Sequence, residues 1–372
     1  MSPDRFAYHT VDEYQIEVTS YCNAACPQCP RNINGGDINP HMPLMHLPRE
    51  VIDRVFPQSL CQDLRQIFFC GSYGDPIMHP EFLDVLKDFR SKNPSLWLYF
   101  HTNGGVHEPE YWIQIAHILG PHGQIDFGID GLEDTLQWYR RNVSYDKVIR
   151  NARAFIDAGG RAQWNYIVFK HNEHQVEQAR EIAENLRFHR FRARKTGRFF
   201  HHGTEQALDS WPVHNRRNKK PVFWLEPPDN PFWNNSSVQK LPNLKHNPQG
   251  DLDQYFKTTP ISCDALLGRK VVITAEGLVL PCNFFTHNLY DARFHEDVLP
   301  GANARHMTST GNQVREFLES YGLDSLNIHN HDLQQIFDNP MWSDLIQSWT
   351  GPERLFECAM TCGEKFRKVW DQ

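Results

Sequence analysis

Three cysteines, Cys22, Cys26 and Cys29, fall within eight residues of the stretch SYCNAACPQCPRN, in the spacing C-x3-C-x2-C. Thiolates bind zinc or iron–sulfur clusters, and the two make different demands on the protein. A structural zinc site closes with four ligands, usually as two C-x2-C pairs, and here only Cys26 and Cys29 are so spaced. A [4Fe–4S] cluster presents four irons, so three thiolates leave one iron open to a small molecule. Four further cysteines, Cys263, Cys282, Cys358 and Cys362, lie far along the chain. Four thiolates complete one cluster or one zinc site. Cys358 and Cys362 share one face of a helix by their spacing. Cys61 and Cys70 are left over, and the expectation for both is a buried, inert thiol. Because Cys70 closes a strand, a hydrogen-donor role is its minor alternative.

Composition bounds the function classes. The 372 residues carry 38 Lys and Arg against 45 Asp and Glu, a formal net charge of −7, which argues against a whole-surface nucleic-acid footprint. The run RNKK (Arg217 to Lys220) reads as a solvated patch. The N-terminal MSPDRFAYHTVDEY has no apolar signal core, and no apolar run reaches membrane-spanning length. A cytoplasmic, reducing location is therefore expected, where clustered thiols serve metals or catalysis rather than disulfides. The nine cysteines are also an odd number, which no all-disulfide scheme fits.

These thiols need a scaffold, and the first half of the chain supplies a repeating one. YQIEVTS, LRQIFFC, LWLYFHT, QIDFGID, RAQWNYIVF and HRFRARKT read as strands. Between them lie helical patterns: PREVIDRVF opening on Pro48, PEFLDVLKDF, PEYWIQIAHIL, SYDKVIRNARAFID stopped by Gly159 and Gly160, and EHQVEQAREIAENL after Asn172. Six β/α units in order imply parallel strands joined by right-handed crossovers, hence an α/β partial (β/α)6 barrel at residues 1–200. A full barrel would need eight units. Residues 201–260 form an aromatic and Pro-rich connection, and a smaller α+β unit is expected at 261–372. Its opening, RKVVITAEGLVLPC, reads as a hairpin turning at Glu276-Gly277. His101, His171 and His174 are expected to be solvated or hydrogen-bonded.

The cysteine spacing, placed after the first strand of six such units, resembles that of the radical S-adenosylmethionine superfamily. The resemblance implies that Cys22, Cys26 and Cys29 hold a [4Fe–4S] cluster whose fourth iron is chelated by S-adenosylmethionine. Further elements match at successive strand ends. CGSYGDP resembles a Gly-Gly-Glu-Pro element that receives the methionine amino group, with Gly74 and Asp75 standing in. HTNGG resembles a Thr-Asn-Gly signature at Thr102, Asn103 and Gly104. GIDG resembles Ser-Ile-Asp-Gly around Asp130, with Gly128 in place of the serine. YRRN offers Arg140 and Arg141 to the methionine carboxylate. Gln28 stands where the family often has an aromatic residue. The C-x13-G-x4-C run from Cys263 to Cys282 resembles the opening of SPASM and Twitch extensions. It implies a Twitch-type domain with a second [4Fe–4S] cluster on Cys263, Cys282, Cys358 and Cys362.

The family likeness implies an enzyme that reductively cleaves S-adenosylmethionine to a 5′-deoxyadenosyl radical and abstracts a substrate hydrogen. Modification of a ribosomally made peptide, by cross-linking, epimerisation or backbone excision, is the leading expectation, with a precursor peptide as substrate and a small recognition protein as a candidate partner. A small-molecule radical dehydrogenase is the alternative, and a non-enzymatic metal-binding module the third class. A flavodoxin or ferredoxin would supply the electrons.

Overall fold

The computed structural model describes residues 5–70, 72–201, 206–234, 252–291, 295, 304–351 and 354–364. Six parallel strands alternate with helices in chain order: β1 (Glu13–Ile16), α1 (Arg49–Val55), α2 (Gln58–Asp63), β2 (Gln66–Phe69), α3 (Phe82–Lys92), β3 (Trp97–Thr102), α4 (Pro109–Leu119), β4 (Gly123–Gly128), α5 (Leu136–Tyr139), α6 (Tyr145–Asp157), β5 (Ala162–Val168), α7 (Val176–Asn185) and β6 (Arg190–Lys195). The expected six units are therefore present. The short helices α2 and α5 have no signature in the sequence pattern, because each spans fewer than two turns and shows no periodicity.

Two small antiparallel pairs follow: β7 (Phe200–His201) with β8 (Gln206–Ala207), and β9 (Trp211–His214) with β10 (Pro221–Leu225). The second lies in the aromatic connection, of which 202–205 and 235–251 fall outside the described residues. The predicted hairpin is present as β11 (Lys270–Ile273) and β12 (Val279–Leu280), with Gly277 at φ +93° in the turn. It does not start a separate sheet. β11 pairs parallel with β1, giving an eight-stranded order β12-β11-β1-β2-β3-β4-β5-β6. Among the described residues, no helix is long and apolar enough to cross a membrane.

The two faces of the sheet differ in chemistry. Ile67, Phe69, Leu98, Phe100, Ile125, Phe127, Trp164 and Tyr166 are fully buried on the helix-covered face. Phe69, Phe82, Phe89 and Phe100 pack edge to face there, with centroids 5.1–5.9 Å apart. Arg90 closes this layer by donating to the carbonyls of Ile118, Leu119 and His122 at the end of α4. The opposite face alternates out of register with this core. It carries Gln15, Cys70, His101, Asp126, Gln163, Asn165 and the exposed row Arg190, Arg192 and Arg194. Parallel sheets are normally apolar on both faces, and this one departs from that on the face turned away from the helices.

Glu17, just past β1, shows the cost of that polarity. It is buried, it accepts from the Ser72 amide at 2.7 Å, and burial pushes its pKa up to about 7 despite that bond. A carboxyl with a folded pKa above its ordinary 4.5 holds its proton more tightly when folded, so the contribution of Glu17 to stability is fully present below pH 4.5 and is lost as pH rises through about 7. Glu17→Gln should match wild type in thermal midpoint at pH 5 and exceed it at pH 8. Equal midpoints at both values would show that Glu17 is solvated.

Candidate metal and cofactor site

All loops that follow β1 to β6 open at one end of the parallel sheet, and the first carries Cys22, Cys26 and Cys29. The three sulfurs are close enough to perturb one another electrostatically. Burial pushes the Cys26 thiol up to about 11, partly offset by Arg140, and drives Cys22 up as well. Thiols held in their neutral form release protons on binding a metal group, which couples occupancy to pH. Three N–H donors point at the sulfurs: the Ala24 amide lies 3.4 Å and Asn103 Nδ2 3.7 Å from Cys22 Sγ, and Arg140 Nη1 3.8 Å from Cys26 Sγ. Both amide atoms of Gln28, buried beside Cys29, have no hydrogen-bond partner among the described residues. An orphaned amide next to the thiols fits a site that a bound group completes.

Asp75 knits three loops together. Its backbone N–H donates to the Tyr21 carbonyl at 2.9 Å. Its carboxylate accepts from Thr102 Oγ1 at 3.1 Å, from the Asn103 amide at 2.8 Å and from Asn103 Nδ2 at 2.7 Å. Burial raises its pKa to about 6 in spite of these donors. The carboxylate thus presents Asn103 to Cys22. Gly74 permits the close approach, since a Cβ there would sit 1.8 Å from the Thr19 carbonyl oxygen. Asn103 also bonds Asn23 Oδ1 at 2.8 Å, a partner with no signal in the sequence.

Asp130 does the same on the other side. Fully buried, it accepts from Arg140 Nε at 2.6 Å and from the Ile167 amide at 2.6 Å. Arg140 thereby reaches Cys26. Gly128 leaves room for it, because a Cβ at that position would lie 2.4 Å from Arg140 Nη2. Any residue with a Cβ at position 128 would displace the Arg140 guanidinium from where it now sits. Arg141 turns away: its Nη1 donates to the carbonyls of Gly35 at 3.0 Å and His214 at 2.7 Å. Asn172 spends its side chain on Asp130 and Ile167 carbonyls rather than on a helix cap.

The profile of the Radical SAM superfamily matches residues 16–183. The chain carries a radical SAM domain. Among solved structures, histidine-tagged anSMEcpe with bound AdoMet aligns at TM-score 0.51 and 14% identity, over 91% of this chain and 80% of that one. Native anSMEcpe with bound AdoMet and the Kp18Cys peptide aligns at TM-score 0.50 and 12% identity, over 91% and 83%. Streptococcus suis SuiB bound to S-adenosylmethionine gives TM-score 0.46 and 13% identity over 74% of this chain, which spans 61% of SuiB. For the two anSMEcpe structures, at such identities, the likeness is one of fold alone. No curated protein matches the chain in sequence.

Outside the radical SAM domain, Cys263, Cys282, Cys358 and Cys362 line a single pocket. Cys263 caps the helix Asp264–Leu267, Cys282 precedes the helix Asn283–Tyr290, and Cys358 and Cys362 share the helix Phe356–Cys362. Burial pushes Cys282 up to about 12. The buried Trp349 indole N–H, without an oxygen acceptor among the described residues, lies against the Cys358 sulfur. Of the remaining thiols, Cys61 is buried and faces the Phe56 carbonyl, as an inert thiol should. Cys70 instead neighbours His101, at 3.7 Å from Nδ1. His171 stacks on Trp138 and Phe169, and burial lowers its pKa to about 4.

Asp130 and Arg140 form a pair that is largely withdrawn from water, and removing one partner strands the other's charge. Asp130→Asn should lower unfolding stability in urea by about 3 kcal/mol. The double variant Asp130→Asn/Arg140→Met should recover part of that loss. A loss under about 0.5 kcal/mol would mean that solvent screens the pair.

Proposed function

We propose that the chain is a radical S-adenosylmethionine enzyme that binds a [4Fe–4S] cluster on Cys22, Cys26 and Cys29 and modifies a ribosomally made peptide. The observation that carries the reading is the convergence of the three thiols with Asn103 and Arg140 at the open end of the parallel sheet. Among the described residues, no three His, Cys, Asp or Glu side chains converge tightly enough for a single metal ion. When bound, the cluster supplies the electron that cleaves S-adenosylmethionine to the 5′-deoxyadenosyl radical, which abstracts a substrate hydrogen.

The chain's own residues hold and orient. Asn103 and Arg140 direct N–H groups at the sulfurs, which tunes the potential of whatever they bind. Asp75, Thr102 and Asp130 fix those donors from behind. Gly74 keeps the second loop against the first. A second, fully ligated cluster on Cys263, Cys282, Cys358 and Cys362 is part of the proposal, with an electron-transfer or structural role. A flavodoxin or ferredoxin would deliver electrons.

The peptide reading draws on the hairpin β9–β10. One side packs inward through Val213 and Leu225, and Phe223 rests on Trp138. Val222 and Trp224, alternating with these, remain about half exposed at 49% and 53%. An exposed aromatic strand face suits an extended chain better than a small polar molecule.

Anaerobic reconstitution should yield about eight irons per chain, two clusters' worth. Replacing Cys22, Cys26 and Cys29 together by Ala should halve that and abolish 5′-deoxyadenosine formation from S-adenosylmethionine and dithionite. Bound zinc without iron at either site would sink the proposal.

A further inference from the structure

Three chemically active side chains outside the cluster site line up across adjacent strands. The register sets His101 on β3 opposite Asp126 on β4, and Phe69 opposite Phe100, which brings Cys70 beside His101. Cys70 Sγ lies 3.7 Å from His101 Nδ1, and His101 Nε2 lies 3.2 Å from Asp126 Oδ2. Asp126 is clamped by the amides of Gln124 at 2.7 Å, Gln163 at 2.9 Å and Asn165 at 3.0 Å. A thiol, an imidazole and an oriented carboxylate in sequence are the components of an activated-sulfur site. A histidine serving packing alone would be enclosed, whereas the His101 side chain keeps 38% of its surface open on the polar face. Burial alone would lower the His101 pKa, and the Asp126 carboxylate bonded to Nε2 acts against it, favouring a protonated ring.

We propose that Cys70, with His101 and Asp126 behind it, is a hydrogen-return site, in which the Cys70 thiol gives a hydrogen atom to the carbon radical formed on the substrate. This rests on the radical reading above and narrows it to a redox-neutral inversion at carbon, an epimerisation. In the step, the S–H bond breaks and a C–H bond forms. The carbon radical is reduced, and the sulfur is oxidised to a thiyl. One electron from an iron–sulfur or flavin carrier and one proton from the His101 imidazolium restore the thiol, and solvent reprotonates His101. Asp126 is a positioning residue that holds the ring toward the sulfur. A route toward the four-thiol pocket exists. Asn283, next to Cys282, donates to Gln15 Oε1 at 2.9 Å, and Gln15 Nε2 donates to the Cys70 carbonyl at 3.0 Å.

Two measurements on the anaerobically reconstituted full chain test this. In the first, S-adenosylmethionine and dithionite are supplied in deuterated buffer with no substrate, so that the adenosyl carbon radical is itself the probe. Deuterium per 5′-deoxyadenosine should fall about fivefold or more in Cys70→Ser, and an unchanged ratio overturns the proposal. If wild type forms no 5′-deoxyadenosine at all, the radical reading fails, and the hydrogen-return site with it. The second measurement needs no turnover. Iodoacetamide labelling, read cysteine by cysteine by mass spectrometry, should modify Cys70 about tenfold faster in wild type than in His101→Gln, because an imidazolium promotes reaction of the sulfur beside it. Equal rates in the two folded proteins overturn the relay.

Discussion

Strand direction is the constraint on which everything else depends. With β1 to β6 parallel, every loop that follows a strand leaves at the same end, and residues distant in sequence meet there without further design. The cost is a rim of loop backbone with many polar groups to satisfy. This chain meets it with two buried carboxylates rather than with apolar packing. Asp75 binds the loop after β3, and its own amide binds the loop after β1. Asp130 binds Arg140 and the amide of Ile167. Each carboxylate then presents one N–H donor to a cysteine sulfur.

Glycines make those carboxylates usable. At Gly74 and Gly128 a single methyl group would collide with the Thr19 carbonyl or with the Arg140 guanidinium. The first contact is with backbone, which cannot move aside cheaply. The second is with a side chain fixed by a charge pair, so it cannot swing away without exposing Asp130. Two residues that look like ordinary turn formers are in this way part of the cysteine environment.

The polar face of the sheet extends the same logic inward. Its alternation places Cys70, His101 and Asp126 at one level on neighbouring strands, below the loop that carries Asn103. A buried carboxylate there is held in its charged form by His101 and the surrounding amides, although burial opposes it. The edge of the sheet beyond carries Arg190, Arg192 and Arg194, charges that discourage another strand from pairing with β6.

Much of this was readable from residue order. Periodicity located six strands and their helices, because hydrophobic spacing is a local property that burial of one face imposes on each segment. The C-x3-C-x2-C spacing after β1 and the Thr-Asn-Gly run after β3 were legible for a similar reason, since each sits within one loop. What joins loops was not. Nothing in the order of residues told that Asn23 would meet Asn103, that Arg140 rather than Arg141 would face Cys26, or that Gly128 was clearing space. His101 looked like one solvated histidine among others, and Cys70 like an inert thiol. Their partnership depends on the register between β2, β3 and β4, which hydrogen bonds across strands decide. The hairpin at β11 was visible as a hairpin, but its place beside β1 was a matter of which sheet edge stood open. Local spacing determined which segments exist and which thiols travel together. Cross-strand register and the pairing of buried charges decided which of them touch.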